Sequence, residues 1–141
     1  MKLRRARGED AASLARLSAE FGYSAATSEM QERLQALLPQ REHSVWVAED
    51  QGGVLGWLHA RISHQVESPD YVEIAGLVVT EARRSQGIGA QLIGAAETWA
   101  RAQGHSMIRL RSRLERERAH RFYERLGYRE IKRQKAFLKE L

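Results

Sequence analysis

Residues 77–90 have the sequence LVVTEARRSQGIGA, and this stretch decides how the rest of the chain is interpreted. The apolar run Leu77–Val79 leads into a charged loop, and Gly87 and Gly89 then open a long amphipathic segment. This order predicts a buried strand, a short loop and a helix that begins at the glycines. The first N–H groups of a helix have no partner within it, and glycine lets a ligand come close to the backbone. The turn is therefore a candidate cradle for the phosphates of a ligand.

Two common phosphate-binding motifs do not fit this turn. The dinucleotide fingerprint requires a third glycine, but Leu92 stands at that position. The Walker motif requires a lysine after its last glycine, but Ala90 follows Gly89. By itself, Gly-x-Gly is equally compatible with an ordinary strand–loop–helix joint that is packed through its glycines. Arg83 and Arg84 place positive charge beside the turn and favour an anionic ligand.

Hydrophobic periodicity and turn residues predict further strands and helices on both sides of this turn. The predicted strands are Met1–Arg5, Ser44–Glu49, Val54–Ile62, Tyr71–Val79, Met107–Ser112 and two short ones near Tyr128–Lys132 and Lys135–Lys139. The predicted helices are Glu9–Phe21, Ser28 to about Leu38 with a Ser28–Gln31 capping box, Gly87–Gln103 and Glu115–Leu126. This order predicts a mixed α/β sheet with helices on both faces, and we expect residues 1–141 to form a single domain.

The charge of the chain favours an anionic ligand or partner. The 141 residues carry 23 Lys and Arg against 18 Asp and Glu, a net charge of +5. A nucleotide cofactor and nucleic acid both satisfy that charge. We find no nucleic-acid-binding signature and no aromatic stacking platform, so nucleic acid is not the expected partner.

The composition also restricts metal sites and location. The chain has no cysteine, which excludes disulfides and thiolate zinc sites, and its five histidines lack ligand spacing, so we expect no metal. No apolar run approaches the roughly 20 residues of a membrane span, so no membrane is expected. The basic start is not followed by the apolar segment of a signal peptide, and we expect a cytoplasmic protein.

Two motifs resemble the signatures of one family. Residues 84–89, RSQGIG, follow the pattern Arg/Gln-x-x-Gly-x-Gly/Ala, and residues 119–128, AHRFYERLGY, follow the pattern Ala-x-x-Phe/Leu-Tyr-x-x-x-Gly-Phe/Tyr. Both are signatures of the GNAT superfamily of N-acetyltransferases, and here they occur in the family's order, about 30 residues apart. The resemblance implies the GNAT fold, a mixed sheet of about six to seven strands flanked by about four helices. It also implies that acetyl-CoA is the acetyl donor.

The resemblance assigns the donor-binding residues. In the family, the strand before the turn separates from its neighbour at a bulge, and the pantetheine arm pairs with the exposed backbone. The Leu77 N–H would also stabilise the thioester oxyanion. The implied donor-binding residues are Leu77, Val78, Val79, Arg84, Ser85, Gln86, Gly87, Ile88, Gly89 and Ala90. The alternative for residues 77–79 is a role in the core alone.

The resemblance also implies an acid and a base. Tyr123 aligns with a tyrosine that protonates the leaving thiolate in many members, and the alternative is core packing beside Phe122. Glu73 stands four residues before Leu77, where some members carry a general base, and the alternative is a surface glutamate. Other side chains that could face the acceptor are His59, His64 and Glu67.

The sequence departs from the family pattern at Arg116. Many members have an asparagine there that contacts the pantetheine arm. An arginine could reach a CoA phosphate instead, or it could lie on a solvated helix face beside a Glu117–Arg121 pair.

The expected function is transfer of an acetyl group from acetyl-CoA to the amine of a small molecule or a protein. With no cysteine to carry an acetyl group, we expect direct attack in a ternary complex. The alternative is a non-catalytic acyl-CoA-binding module of the same fold. The sequence does not identify the acceptor, whose binding residues are expected near 21–30 and 64–70. We also expect a homodimer, because exposed edge strands such as the C-terminal one favour pairing.

Overall fold

The computed structural model describes residues 1–141, which divide into two units, residues 1–111 and residues 112–141. The first unit contains a five-stranded sheet in the order β1-β2-β3-β4-β5. Its strands are β1 Lys2–Arg5, β2 His43–Asp50, β3 Gly53–Ser63, β4 Tyr71–Val79 and β5 Ile108–Leu110. Its helices are α1 Ala11–Ala19, α2 Thr27–Leu37 and α3 Ile88–Ala102. The first four strands pair antiparallel and β4 pairs parallel with β5, so the sheet is mixed, as expected.

One face of the sheet is buried by α1 and α2. Leu14 and Leu17 of α1 pack with Leu34 of α2 on Val45 and Val47 of β2. None of these five side chains is more than 3% exposed. Burial of an aliphatic side chain contributes about 1.5–3 kcal/mol, so this cluster holds the two helices on the sheet.

The other face of the sheet is covered by α3. The side chains of Leu92, Ile93 and Ala96 are fully buried and recur at helical spacing. A Cβ atom at Gly56 of β3 would lie only 3.3 Å from Leu92 Cδ1, so α3 packs directly on this glycine. Trp57, the next residue, packs against the α1–α2 cluster, and successive strand residues point to opposite faces. The helix that follows the glycine-rich turn is therefore fixed against β3.

The starts of α1 and α2 differ from the predicted ones. The α2 helix begins at Thr27, and the Glu29 carboxylate accepts a hydrogen bond from the Ala26 N–H at 2.9 Å. The predicted Ser28–Gln31 capping box is therefore wrong, because Glu29, two residues before Gln31, supplies a stronger acceptor and shifts the box to Ala26–Glu29. A 3-10 turn at Gly8–Asp10 precedes α1, and the Asp10 carboxylate accepts from the Arg7 N–H at 2.8 Å.

The second unit contains one helix, α4 Glu117–Arg125, and no strand. The predicted strands near 128–132 and 135–139 are therefore wrong, and the sheet has five strands instead of six to seven. A strand persists only where a neighbour satisfies its backbone groups, and no segment of the chain pairs with this one. Ile131, Phe137 and Leu138 consequently remain exposed.

None of the four helices combines the length and the apolar composition needed to cross a membrane. No group of three or more His, Asp or Glu side chains lies close enough together to hold a metal ion.

Candidate active site

The sheet opens where β4 and β5 stop pairing. Along its length β4 pairs with β3, from Ser63↔Tyr71 to Gly56↔Val79. On its other side it pairs with β5 only from Val72↔Ile108 to Ile74↔Leu110. A β-bulge lies at the same level, because the register shifts between His59 and Ala60. Residues 75–79 therefore have a strand neighbour on one side only.

The backbone groups of Leu77 and Val79 point to that unpaired side. The Thr80 N–H donates to the Leu55 carbonyl of β3 at 2.8 Å. Because successive N–H groups of a strand point in alternate directions, those of Gly76 and Val78 also face β3. The N–H groups of Leu77 and Val79 then face away from β3, toward the gap left by β5. A ligand in this gap can pair with β4 as an added strand.

The glycine-rich turn leads from β4 into α3. Two residues of the turn have left-handed backbone conformations, Ser85 with φ 64° and Gly87 with φ 81°. The first hydrogen bond of α3 runs from the Gln91 N–H to the Gly87 carbonyl at 3.1 Å, so the N–H groups of residues 88–90 precede it. No side chain caps the helix. These donors lie at the positive end of a 15-residue helix.

The space in front of this turn is open. No atom lies within 4 Å of the position that a Cβ atom would take at Gly87. Residues distant in the chain therefore leave space beside Gly87, the residue that precedes the N–H donors. This open, uncapped helix start fits the pyrophosphate expected from the sequence.

The two arginines of the turn are held by other side chains. Arg83 pairs with Asp50 at 2.8 Å and donates to the Gln86 amide oxygen at 2.7 Å. The guanidinium of Arg84 lies 4.4 Å from the centre of the Phe21 ring, which ties the turn to the residues that follow α1. These contacts brace the loop, so the donors at the helix start are preorganised.

The carboxylate of Glu73 is buried and bound by two arginines. Its residue is 6% exposed, so it is not a surface glutamate. Oε1 lies 2.6 Å from Arg61 Nη2 and 3.1 Å from Arg61 Nε, and Oε2 lies 3.5 Å from Arg111 Nη2. Both carboxylate oxygens therefore face guanidinium groups.

His59 lies beside the bulge and is paired with a second histidine. His59 is opposite Gly76 in the β3–β4 register, and its Nε2 lies 2.9 Å from His43 Nδ1 with the two rings stacked. Burial, then the neighbouring His43 and Arg61, lower the pKa of His59 to about 4, and Glu73 opposes this only in part. Both rings are therefore neutral at neutral pH, since burial and Arg61 also lower the pKa of His43.

The structure gives His64 and Glu67 different surroundings. His64 is exposed and bonds to Glu42 at 3.0 Å and to Asp70 at 2.8 Å, and these carboxylates raise its pKa. Glu67 is exposed in the loop between β3 and β4. His43 was missed in the sequence analysis, because only the β2–β3 register places it beside His59.

In the second unit, Tyr123 of α4 lies in a cluster with two other aromatic rings, Phe122 of the same helix and Tyr128, which follows the helix. Its ring contacts Phe122 edge-on at 5.2 Å and Tyr128 at 6.2 Å. Burial raises the pKa of its phenol, against the smaller opposing effect of Arg116. Arg116 occupies the N-cap of α4. Tyr123 is thus protonated at neutral pH, as a proton donor must be.

Comparison with known proteins agrees with this geometry. The family model described as "Acetyltransferase (GNAT) family" matches residues 11–128. The uncharacterized N-acetyltransferase YhdJ of Bacillus subtilis is 30% identical over 98 residues, which are 69% of this chain and 69% of that protein. The aminoalkylphosphonate N-acetyltransferase of Salmonella typhimurium is 36% identical over 80 residues, 56% of this chain and 52% of that protein.

The fold matches solved structures over the whole chain. The aminoglycoside N-acetyltransferase AAC(6')-Iy in complex with CoA aligns with a TM-score of 0.83 and 19% identity. The alignment covers 99% of this chain and 100% of that chain.

Proposed function

The chain belongs to the acetyltransferase (GNAT) family, and from that premise we propose that it acetylates the amine of a small acceptor by direct attack on acetyl-CoA. It is an N-acetyltransferase, and acetyl-CoA is its acetyl donor. The observation that supports the proposed site best is the end of the β4–β5 ladder next to an uncapped, glycine-led helix. The two features lie in one unit and are joined by the braced loop 80–87.

We propose that the donor is held mainly by backbone groups. Acetyl-CoA supplies an activated thioester. The N–H groups of Leu77 and Val79 would bind the pantetheine arm, and those of residues 86–90 would bind the pyrophosphate. Val78 and Ile88 have buried side chains, 4% and 2% exposed, so neither side chain would contact the donor. Ile88 would contribute its N–H, whereas the N–H of Val78 faces β3, so Val78 would position the donors of Leu77 and Val79 on either side of it. Arg84, Ser85 and Arg116 are the proposed additional contacts to the phosphates.

We propose that three groups assist the transfer. The Leu77 N–H would stabilise negative charge on the thioester oxygen, and the protonated Tyr123 would donate a proton to the leaving thiolate. The acceptor amine must lose a proton, and Glu73 is the proposed base. The competing base is the neutral ring of His59, which lies opposite Gly76, the residue before Leu77, in the β3–β4 register. Comparing Glu73→Gln with His59→Gln under saturating donor would identify which of them sets the pH dependence of the rate.

A turnover screen tests the function. The full chain would be incubated with acetyl-CoA and a panel of amines, and release of the CoA thiol would be followed with a thiol reagent. We expect release that depends on at least one amine class. If CoA binds but no amine causes release, the chain is a binding module of the same fold instead.

The names of the similar proteins give two different acceptor chemistries. One acts on aminoalkylphosphonates, which carry an acidic group beside the amine, and the other on aminoglycosides, which carry several amines. We propose that the acceptor of this chain, like these, is a small molecule.

We also propose that residues 1–141 act as one domain, that two chains form a homodimer, and that the enzyme works in the cytoplasm, where acetyl-CoA is used. The family model spans parts of both units, which supports the first proposal. The exposed apolar side chains of residues 128–141 support the second.

A further inference from the structure

Three arginines lie on one face of the sheet next to the end of the β4–β5 ladder. The register pairs Arg61 with Glu73 and Glu73 with Arg109, so these three side chains form one row across β3, β4 and β5. Arg111 follows Arg109 by two residues and therefore lies on the same face, just beyond the last ladder pair, Ile74↔Leu110. The row thus ends where the backbone of Leu77 becomes unpaired.

The row carries more positive charge than its one carboxylate can balance. Glu73 binds Arg61 and Arg111, whereas Arg109 has no ion pair and stacks on the Tyr71 ring at 4.5 Å. The neighbouring His43 and His59 are neutral at neutral pH because burial and Arg61 lower their pKa values. Three guanidinium groups therefore face one carboxylate, which leaves two positive charges.

The Glu73 carboxylate does not need all three arginines as partners. Arg61 alone already makes two hydrogen bonds to this carboxylate, at 2.6 and 3.1 Å. The side chain of Arg61 is 43% exposed and that of Arg111 is 74% exposed, so solvent reaches their remaining donors. A guanidinium has five N–H donors, and Glu73 uses few of them.

We propose that Arg61, Arg109 and Arg111 form a subsite for an anionic group of the acceptor, so that the substrates are amines that also carry a phosphonate, phosphate or carboxylate. The inference rests on the proposed function, since it assigns the acceptor class of that reaction. Planar guanidinium groups bind such anions with paired hydrogen bonds. The amine of the same molecule would then lie beside the bulge, near Glu73, His59 and the Leu77 backbone. A polycationic acceptor would meet two uncompensated positive charges at this position.

Matched acceptors test the subsite. Initial rates of thiol release would be compared for 2-aminoethylphosphonate, β-alanine and propylamine, which have similar lengths but differ in the acidic group. A hydrogen-bonded charge pair corresponds to about 10- to 100-fold in affinity, and we expect this advantage in kcat/KM for the two acidic amines. A preference for propylamine, or for a polyamine, would overturn the subsite and leave the acetyltransferase assignment intact.

Substitutions assign the effect to the arginines. Arg109→Gln and Arg111→Gln should each raise the KM for the acidic acceptor about 10-fold. The KM for propylamine should rise less than that in both variants. The KM for acetyl-CoA reports separately on the donor site. Arg101→Gln, an exposed arginine in the last turn of α3, is the matched control and should behave like the unmodified enzyme.

A direct measurement of acceptor binding tests the arginine subsite without requiring turnover. Calorimetric titration of the full chain with 2-aminoethylphosphonate should show binding that weakens about 10-fold in Arg111→Gln. Equal binding by the variant and the unmodified protein would overturn the subsite even if no acceptor is turned over. If no amine of any class releases the CoA thiol, the proposed function fails, whereas this titration still decides the subsite.

Discussion

Tyr123 carries the proposed proton transfer to the leaving thiolate. Replacing it with phenylalanine removes the hydroxyl group but keeps the ring that packs on Phe122 and Tyr128. Positioned acids contribute about 10²–10⁴-fold to a rate, so Tyr123→Phe should lower kcat within that range. The KM for acetyl-CoA should stay within about twofold. Steady-state kinetics with a turned-over acceptor would measure both constants.

The matched control is Tyr128→Phe, which removes a hydroxyl group from the same ring cluster. Its kcat should change by less than about threefold. If Tyr123→Phe keeps nearly full activity, the thiolate leaves unaided and Tyr123 is a packing residue.

His59 should make stability depend on pH. Its pKa is about 4 in the folded chain against an ordinary value of 6.5, chiefly because it is buried. Between these values the unfolded chain binds a proton that the folded chain does not, so the free energy of unfolding falls as pH drops from about 6.5 toward 4. Urea unfolding at several pH values should show this fall, and His59→Gln should make it smaller.

Other histidines complicate the absolute profile, so the variants should be compared with each other. The pKa of His43 is also lowered, which acts in the same direction, whereas that of His64 is raised and acts in the opposite direction. An unchanged slope in His59→Gln would contradict the assignment of this pH dependence to His59.

At the scale of elements, the start of α3 is the proposed phosphate site. The glycines at the two ends of this helix allow a matched test. Gly87 precedes the helix and Gly104 follows it, and both have left-handed backbone angles, φ 81° and φ 85°. Neither has an atom within 4 Å of a Cβ position. Valine at either position should therefore cost a similar strain, about 1–2 kcal/mol.

Only Gly87→Val places a side chain in front of the helix N–H donors. We expect it to weaken CoA binding at least about tenfold, whereas Gly104→Val should bind CoA like the unmodified protein. Urea unfolding would confirm that both variants fold and lose similar stability. If Gly87→Val folds and binds CoA normally, the pyrophosphate does not lie at this turn.

The accuracy of the sequence predictions differs between elements for a physical reason. The four helices and the strands β1–β4 lie within a few residues of their predicted positions, because each buries a face whose periodicity is visible locally. The predicted strands after residue 127 are absent, because a strand depends on a partner that its own pattern does not reveal.

The same limit applies to the candidate site. The glycine turn is a local motif, and the structure places Gly87 at the start of α3 as expected. The His43–His59 pair and the row from Arg61 to Arg109 depend on the register of three strand pairings, β2–β3, β3–β4 and β4–β5. Register is set by the packing of the whole sheet, so the sequence alone could not place these side chains together.

At the scale of the whole molecule, the exposed C-terminal segment supports the proposed dimer. Phe137 is 91% exposed and Leu138 is 89% exposed, although both are large apolar residues in a chain with an otherwise buried core. Exposed apolar clusters and unpaired extended segments are typical of association surfaces. We therefore expect light scattering at tens of micromolar to give about twice the chain mass of 16.1 kDa.

The double substitution Phe137→Ser and Leu138→Ser should shift this mass to that of the monomer, since it removes the apolar side chains that a second chain would cover. Leu114→Ser is the control, because Leu114 is another exposed apolar residue of the same unit, and this variant should stay dimeric. CoA binding should be retained in both variants, because neither substitution changes residues 77–90 or Arg116, which carry the proposed donor contacts. A monomeric mass for the unmodified chain would remove the dimer proposal, and the segment after residue 127 would then be exposed in the working enzyme.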